Sequence, residues 1–236
     1  MNVVNGDSPQ TYEEALSGDD SRSCEEAMDQ EMNSLVKNKT WQLVEKPKDK
    51  KVLDLKWVYS NKSDNRKKAR LVRGFQQKKV LEDLYSPVAK MQTLKLLLSY
   101  CCQYGSMIMQ MNVETAFLNG TIKSEVFVKQ PMGYTDKSGK VCILSKALYG
   151  LRVSSRVWYE CFDEYIKKLD FQRSESDYCL YMKYESDHVI YLILFVDDLL
   201  MCGKNKRKID EIKNKLSNKF AMRDLGEVKT YVGIYI

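Results

Sequence analysis

Val189-Ile190-Tyr191-Leu192-Ile193-Leu194-Phe195-Val196-Asp197-Asp198-Leu199-Leu200-Met201-Cys202 is the stretch that decides how this chain is read. An apolar run ends in two adjacent carboxylates, and a second apolar stretch follows at once. The pattern predicts two buried strands joined as a hairpin with the acids at its tip. Acids beside buried strands cost free energy unless something neutralises them. A divalent metal held for phosphoryl transfer is one such partner. From the residues alone, an Asp-Asp turn between apolar strands is more often simply a solvated turn.

Working outward, Met107 to Val113 reads as another buried strand, and the segment after it closes at the Asn119-Gly120 turn. A leucine-rich helix is predicted at about Thr93 to Tyr104. Downstream, Arg207 to Phe220 is an amphipathic helix and Tyr231 to Ile236 a last strand. A helix from about Ser155 to Leu169 carries Val157, Trp158, Cys161, Tyr165 and Leu169 on one stripe, and a strand follows at Tyr178 to Tyr184. Glu125 to Lys129 and Val141 to Leu144 are strands on either side of an Asp136-Lys137-Ser138-Gly139 turn.

The N-terminal part is helical first. Residues 1–10 read as a disordered leader, Thr11-x-x-Glu14 as a capping box, and Cys24 to Val36 as a helix with Met28, Met32, Leu35 and Val36 on one face. Alternation at Trp41 and Leu43, and at Leu53, Leu55, Trp57 and Tyr59, then predicts strands. Ser63-Asp64-Asn65 is a turn, with Lys68 to Phe75 as the return strand. This hairpin is basic: Lys46, Lys48, Lys50, Lys51, Lys56, Lys62, Arg66, Lys67, Lys68, Arg70, Arg73, Lys78 and Lys79 crowd one segment. Such a run is either a solvated face or a phosphate-binding one, and Trp57 and Tyr59 tilt the reading toward nucleic acid.

Composition sets the bounds. A chain of 236 residues with 44% hydrophobic and 30% charged residues and a net charge of +6 suits one large globular domain or two subdomains. No apolar run reaches membrane-spanning length and the N-terminus lacks signal-peptide form, so an intracellular protein is expected, in cytoplasm or nucleus, with no membrane partner. The seven cysteines and single His188 offer no zinc spacing and read as reduced thiols. Hairpins mixed with helices argue an α+β architecture.

Several blocks, in order, carry a family resemblance: Thr11-Tyr12-Glu13-Glu14-Ala15, Thr40-Trp41, Lys56-Trp57-Val58-Tyr59, Lys68-Ala69-Arg70-Leu71-Val72, Ser86-Pro87-Val88, Thr115-Ala116-Phe117-Leu118-Asn119-Gly120, Gln130-Pro131-x-Gly133, Ala147-Leu148-Tyr149-Gly150-Leu151, Arg156-Val157-Trp158-Tyr159, Phe195-Val196-Asp197-Asp198 and Val232-Gly233-Ile234. Together they resemble the reverse transcriptase domain of a copia-type retrotransposon Pol polyprotein. The resemblance implies an α+β fold over 11–236. Its parts would be a reverse-transcriptase palm, an antiparallel sheet with packed helices, mainly over 93–236, and β-hairpin fingers mainly over 38–92. It implies RNA-directed DNA polymerisation, a nucleotidyl transfer with Mg2+, deoxynucleotides and an RNA or DNA template-primer.

By the same resemblance Asp197, Asp198 and the backbone of Val113 would be metal ligands. Lys68, Arg70, Phe117, Arg152 and Arg156 would bind the nucleotide, with Phe117 as a gate under the sugar, and Val232 and Gly233 would contact the primer. The chain departs from the family in places. Asn112 stands where the first metal-binding aspartate is expected, so the catalytic set is degenerate. Cys24 replaces a tryptophan and Val153 a glutamine. Lys68 to Phe75 is one residue short and the stretch from Gln77 to Ser86 is also shortened, which puts the Lys68/Arg70 grip in question through a change of strand face. No thumb is expected after Ile236. The resulting expectation is an inactive copy; the alternative is a non-catalytic nucleic-acid-binding or scaffold protein that kept the fold.

Overall fold

A computed structural model describes residues 8–61, 66–73, 86–186, 188–231 and 234–236. The expected leader up to residue 7, the Ser63-Asp64-Asn65 turn, Phe75, Lys62, Lys78 and Lys79, most of the shortened 77–86 stretch, and the primer-contacting Val232 and Gly233 lie outside the described residues. The chain folds as two compact units, each assembled from two stretches of sequence: residues 1–84 with 120–157, and residues 85–119 with 158–236.

The second unit is built on a six-stranded, wholly antiparallel sheet. Its strand order is Met222–Glu227, Met107–Val113, Asp198–Gly203, Val189–Phe195, Leu180–Tyr184, Gln172–Arg173. The central strands are apolar on both faces because both faces are covered. On one face Ile108, Ile193, Leu200 and Cys202 pack with Leu94, Leu97, Leu98 and Cys101 of the helix Met91–Gln103, together with Val228 and Tyr231. On the other, Tyr181 lies opposite Leu192 and meets Phe162, which packs with Trp158 and Phe220. Each fully buried side chain of this size is worth roughly 1.5–3 kcal/mol, so these two layers fix the hairpin that carries Asp197 and Asp198.

The first unit begins with helices Tyr12–Ser17 and Ser21–Lys37, the former capped by the Thr11 hydroxyl, which accepts from the Glu14 backbone N–H at 3.1 Å. Its four-stranded sheet runs Trp41–Val44, Val141–Leu144, Phe127–Val128, Val52–Leu53, the last pair parallel. The basic hairpin is a separate antiparallel pair, Leu55–Asn61 with Lys67–Arg73. Ala69 and Leu71 are buried on one side of it, beside Trp57 and Tyr59. Tyr59 donates its hydroxyl to Met28 Sδ at 3.2 Å, and the Trp57 indole donates to the Met132 carbonyl at 3.0 Å.

Some elements differ from expectation. Val36 is 66% exposed, and Cys24 and Ala27 join Met28 and Leu35 in burial instead, because the helix starts a turn earlier and its inner face is set by its packing. On the helix Ser154–Lys167 the buried stripe is Trp158, Tyr159, Phe162 and Ile166, not Val157, Cys161 and Tyr165. The edge strand Met222–Glu227 has no signal in the sequence: its residues are mostly polar and exposed, and pairing to Met107–Val113 makes it a strand. The last strand is instead a short hairpin, Thr230–Tyr231 with Ile234–Tyr235.

Candidate active site

Strand register brings the key residues of the second unit together. In the ladder between Met107–Val113 and Asp198–Gly203, Asn112 stands directly opposite Asp198. Asn112 Nδ2 donates to Asp198 Oδ1 at 3.0 Å and to the Asp197 carbonyl at 3.3 Å. The Val113 backbone N–H donates to the same Asp197 carbonyl at 2.7 Å. Both partners of the amide are acceptors, so its NH2 end must face them; the reverse orientation would oppose oxygen to oxygen.

The tip of the hairpin is Val196-Asp197, a two-residue connection with Val196 at φ 58°. A β-branched residue in the left-handed region is strained, and it persists only where the surroundings over-determine it. Here the Val196 carbonyl accepts from the Trp158 indole N–H at 2.6 Å, and the Asp198 carbonyl accepts from the Tyr231 hydroxyl at 3.3 Å. Trp158 lies within one of the blocks that carry the family resemblance and Tyr231 adjoins another, yet nothing in the sequence assigns either to the Asp pair. Only hydrogen bonds across 38 and 33 positions do so.

Asp198 shares its sheet face with Leu200 and Cys202 at the edge of the packed core. Burial therefore pushes its carboxyl above the ordinary value, and the neighbouring Asp197 charge adds to this, while hydrogen bonds from Asn112 and Gln110 oppose it. Beyond Val113 the chain turns into a short 3₁₀ helix, Ala116–Asn119, on which Phe117 is buried. The Asn119 amide closes that turn on the carbonyls of Thr115 and Ala116.

The remaining candidate residues belong to the first unit. Lys68 and Arg70 lie on the face of the hairpin opposite Ala69 and Leu71. The Arg70 guanidinium sits 3.7 Å from the centroid of the Tyr149 ring, an attractive stacking geometry. A bridge between Val72 and Tyr149 sets the Tyr149-Gly150-Leu151-Arg152 block beside this strand, with Gly150 at φ 81° supplying a turn that other residues resist. Arg152 is exposed and Arg156 is half-buried on the first turn of the helix Ser154–Lys167. Glu31, which no sequence signal singles out, lies near both cations. Burial raises its carboxyl pKa, and the charges of Arg70 and Lys68 and the Leu71 N–H oppose that rise.

Lys67, by contrast, is taken up internally by an ion pair with Asp20 at 2.7 Å. Cys24 is fully buried, and burial raises its thiol pKa. Among the described residues, no helix is long and apolar enough to cross a membrane.

An antiparallel sheet thus sets the Asp197-Asp198 pair across from a strand end that carries Asn112. Comparison with known proteins gives the family. The family described as "Reverse transcriptase (RNA-dependent DNA polymerase)" matches residues 38–236. The chain is 40% identical to the "Retrovirus-related Pol polyprotein from transposon TNT 1-94" of Nicotiana tabacum, over 97% of its own length and 18% of that polyprotein. It is 33% identical to the corresponding polyprotein from transposon RE1 of Arabidopsis thaliana, over 96% of the chain and 16% of the relative. It is 32% identical to the "Transposon Ty1-MR1 Gag-Pol polyprotein" of Saccharomyces cerevisiae, over 86% and 12%. The chain belongs to the reverse transcriptase family, as a copia-type domain of a retrotransposon Pol polyprotein. It spans less than a fifth of the length of these curated relatives.

Proposed function

We propose that this chain is a reverse transcriptase domain that keeps the polymerase fold and has lost RNA-directed DNA synthesis. The observation that carries this reading is Asn112, whose amide donates to Asp198 from the place where the family has a carboxylate. Paired magnesium ions, when bound in such a site, activate the primer 3′-hydroxyl and stabilise the leaving pyrophosphate. The donor set here does not fit a pair of divalent cations. It offers the two carboxylates of Asp197 and Asp198 and the backbone carbonyl of Val113, and the NH2 of Asn112 points at the oxygens such ions need. Among the described residues, no three His, Cys, Asp or Glu side chains are placed to share a metal ion.

In this reading the six-stranded sheet is the palm and the Leu55–Asn61/Lys67–Arg73 hairpin belongs to the fingers. Lys68, Arg70, Arg152 and Arg156 are the inherited nucleotide-binding cations, with Phe117 as the inherited sugar gate. The resemblance supports these roles. The shared face of Lys68 and Arg70 and the apposition of Tyr149 to Val72 support the first group. Binding of a template-primer through these cations outlasts the loss of chemistry, because phosphate contacts need no metal.

The test is primer extension on an RNA template with deoxynucleotides and Mg2+. The chain as it stands is expected to add no nucleotides, and Asn112→Asp is expected to gain measurable addition. Robust synthesis by the unchanged chain would overturn the reading.

A further inference from the structure

We infer that the Asn112 amide has taken over the electrostatic task of a cation in this site, so that the acidic hairpin tip is held without any metal. The inference rests on reading Asn112, Asp197 and Asp198 as the family's metal position, and it concerns stability, not turnover. One NH2 group bridges the two acidic residues, one in the tip and one beginning the strand: it meets Asp198 Oδ1 at 3.0 Å and the Asp197 carbonyl at 3.3 Å. A cation bridging two acidic residues draws oxygens together; here two N–H donors do so, with partial positive charge and no exchangeable ion.

The tip needs such a brace. Val196 holds a left-handed conformation at φ 58°. The Asp197 carbonyl already takes the Val113 N–H at 2.7 Å, and the Val196 carbonyl takes the Trp158 indole at 2.6 Å. The amide completes this set on the side facing the partner strand. It also supplies a hydrogen-bond donor to a half-buried carboxylate, beside the one that Gln110 offers, and an unsatisfied acceptor shielded from water is costly.

The contrast is with an aspartate at the same position. A carboxylate at 112 would stand about 3 Å from Asp198 Oδ1, with oxygens facing oxygens, and would be repelled unless a cation lay between. The substitution therefore exchanges a cation-dependent brace for a permanent one. A domain carrying it keeps its fold at any magnesium concentration while giving up the charge that two-metal chemistry requires.

The experiment is thermal unfolding of the full chain and of Asn112→Asp, each in EDTA and in millimolar Mg2+ at matched ionic strength, with the double variant Asn112→Asp/Asp198→Asn alongside. The unchanged chain should melt at the same temperature in both buffers, within about 1 °C. Asn112→Asp should melt lower in EDTA by about 2–4 °C, and Mg2+ should restore most of the loss. The double variant again places an amide against a carboxylate and should recover in EDTA without Mg2+, which keeps the comparison informative if the single variant does not fold.

Water-proton relaxation with Mn2+ should report binding to Asn112→Asp and little to the unchanged chain. An Asn112→Asp protein as stable as the unchanged one in EDTA would overturn the inference. So would a Mg2+-induced rise in the unchanged chain equal to that of the variant, or a double variant that fails to recover. These outcomes are separate from primer extension: a chain that polymerises yet shows this stability pattern would sink the proposed loss of synthesis and leave the brace standing.

Discussion

The indole nitrogen of Trp158 donates to the backbone carbonyl of Val196 at 2.6 Å, tying a helix to the tip of the acidic hairpin. Trp158 is itself buried among Phe162 and Phe220, so its ring anchors the core while its N–H sets the position of the two aspartates. Trp158→Phe keeps most of the packing and removes the donor. It is expected to destabilise the fold by about 1–3 kcal/mol, the cost of leaving a shielded carbonyl unpaired. Chemical denaturation checks this, and a change within about 0.3 kcal/mol would show that water replaces the indole there.

Val196 sits at φ 58° and is 38% exposed. A β-branched residue in that region costs about 1–3 kcal/mol, whereas glycine costs about 0.5–1 kcal/mol in chain entropy. Val196→Gly should therefore change stability by less than about 1 kcal/mol, since relief of the strain is offset by the apolar area that a valine only 38% exposed still buries. A denaturation midpoint that falls by more would mean that the packing of the valine outweighs the strain.

Burial raises the Asp198 carboxyl above its ordinary value of 3.8. A group whose folded pKa is raised contributes stability that is full below the unfolded value and is lost as pH rises through the folded value. Asp198→Asn cannot ionise and keeps an acceptor for the Asn112 amide. Its stability relative to the unchanged chain should be least favourable near pH 3 and should improve as pH climbs through the raised Asp198 value, then level off. Denaturant titrations between about pH 3 and 7 test this; a difference independent of pH would place Asp198 in water.

The basic hairpin separates two kinds of lysine. Lys67 pairs with Asp20 at 2.7 Å with its side chain only 12% exposed, while Lys56 is exposed on the face shared with Lys68 and Arg70. Lys67→Glu is expected to cost about 1–2 kcal/mol of stability, since it sets two acids against each other. Lys56→Glu should leave stability nearly unchanged, weaken binding to all nucleic-acid sequences alike and reduce the salt slope by about one. Binding that ignores salt would remove the electrostatic account of this face.

Much of this molecule is legible in its residues. The strands Met107–Val113, Val189–Phe195 and Asp198–Gly203 announce themselves as apolar runs, because a sheet covered on both faces demands apolar residues at successive positions. The acidic pair Asp197-Asp198 between two apolar strands and the basic hairpin can likewise be read directly, since each is a matter of residue type and short spacing. The strand Met222–Glu227 cannot: its residues have no strand pattern of their own, and pairing with a neighbour supplies the structure. The stripe expected on the helix Ser154–Lys167 lies to one side of the buried one, because burial there is set by Phe220 and Tyr181, which lie far along the chain.

The sequence by itself determined the family, the α+β class and which polar residues are available for chemistry, since these depend on residue identity and order. Only the tertiary structure decided that the amide of Asn112 spends its donors on Asp198 and Asp197, that Trp158 and Tyr231 brace the same tip, and that Lys67 is engaged while Lys56 is exposed. Each of these pairings joins residues tens of positions apart. Hydrogen bonds and ion pairs act over about 3 Å, and no spacing along a chain reveals which distant groups strand register and helix packing will bring to that distance.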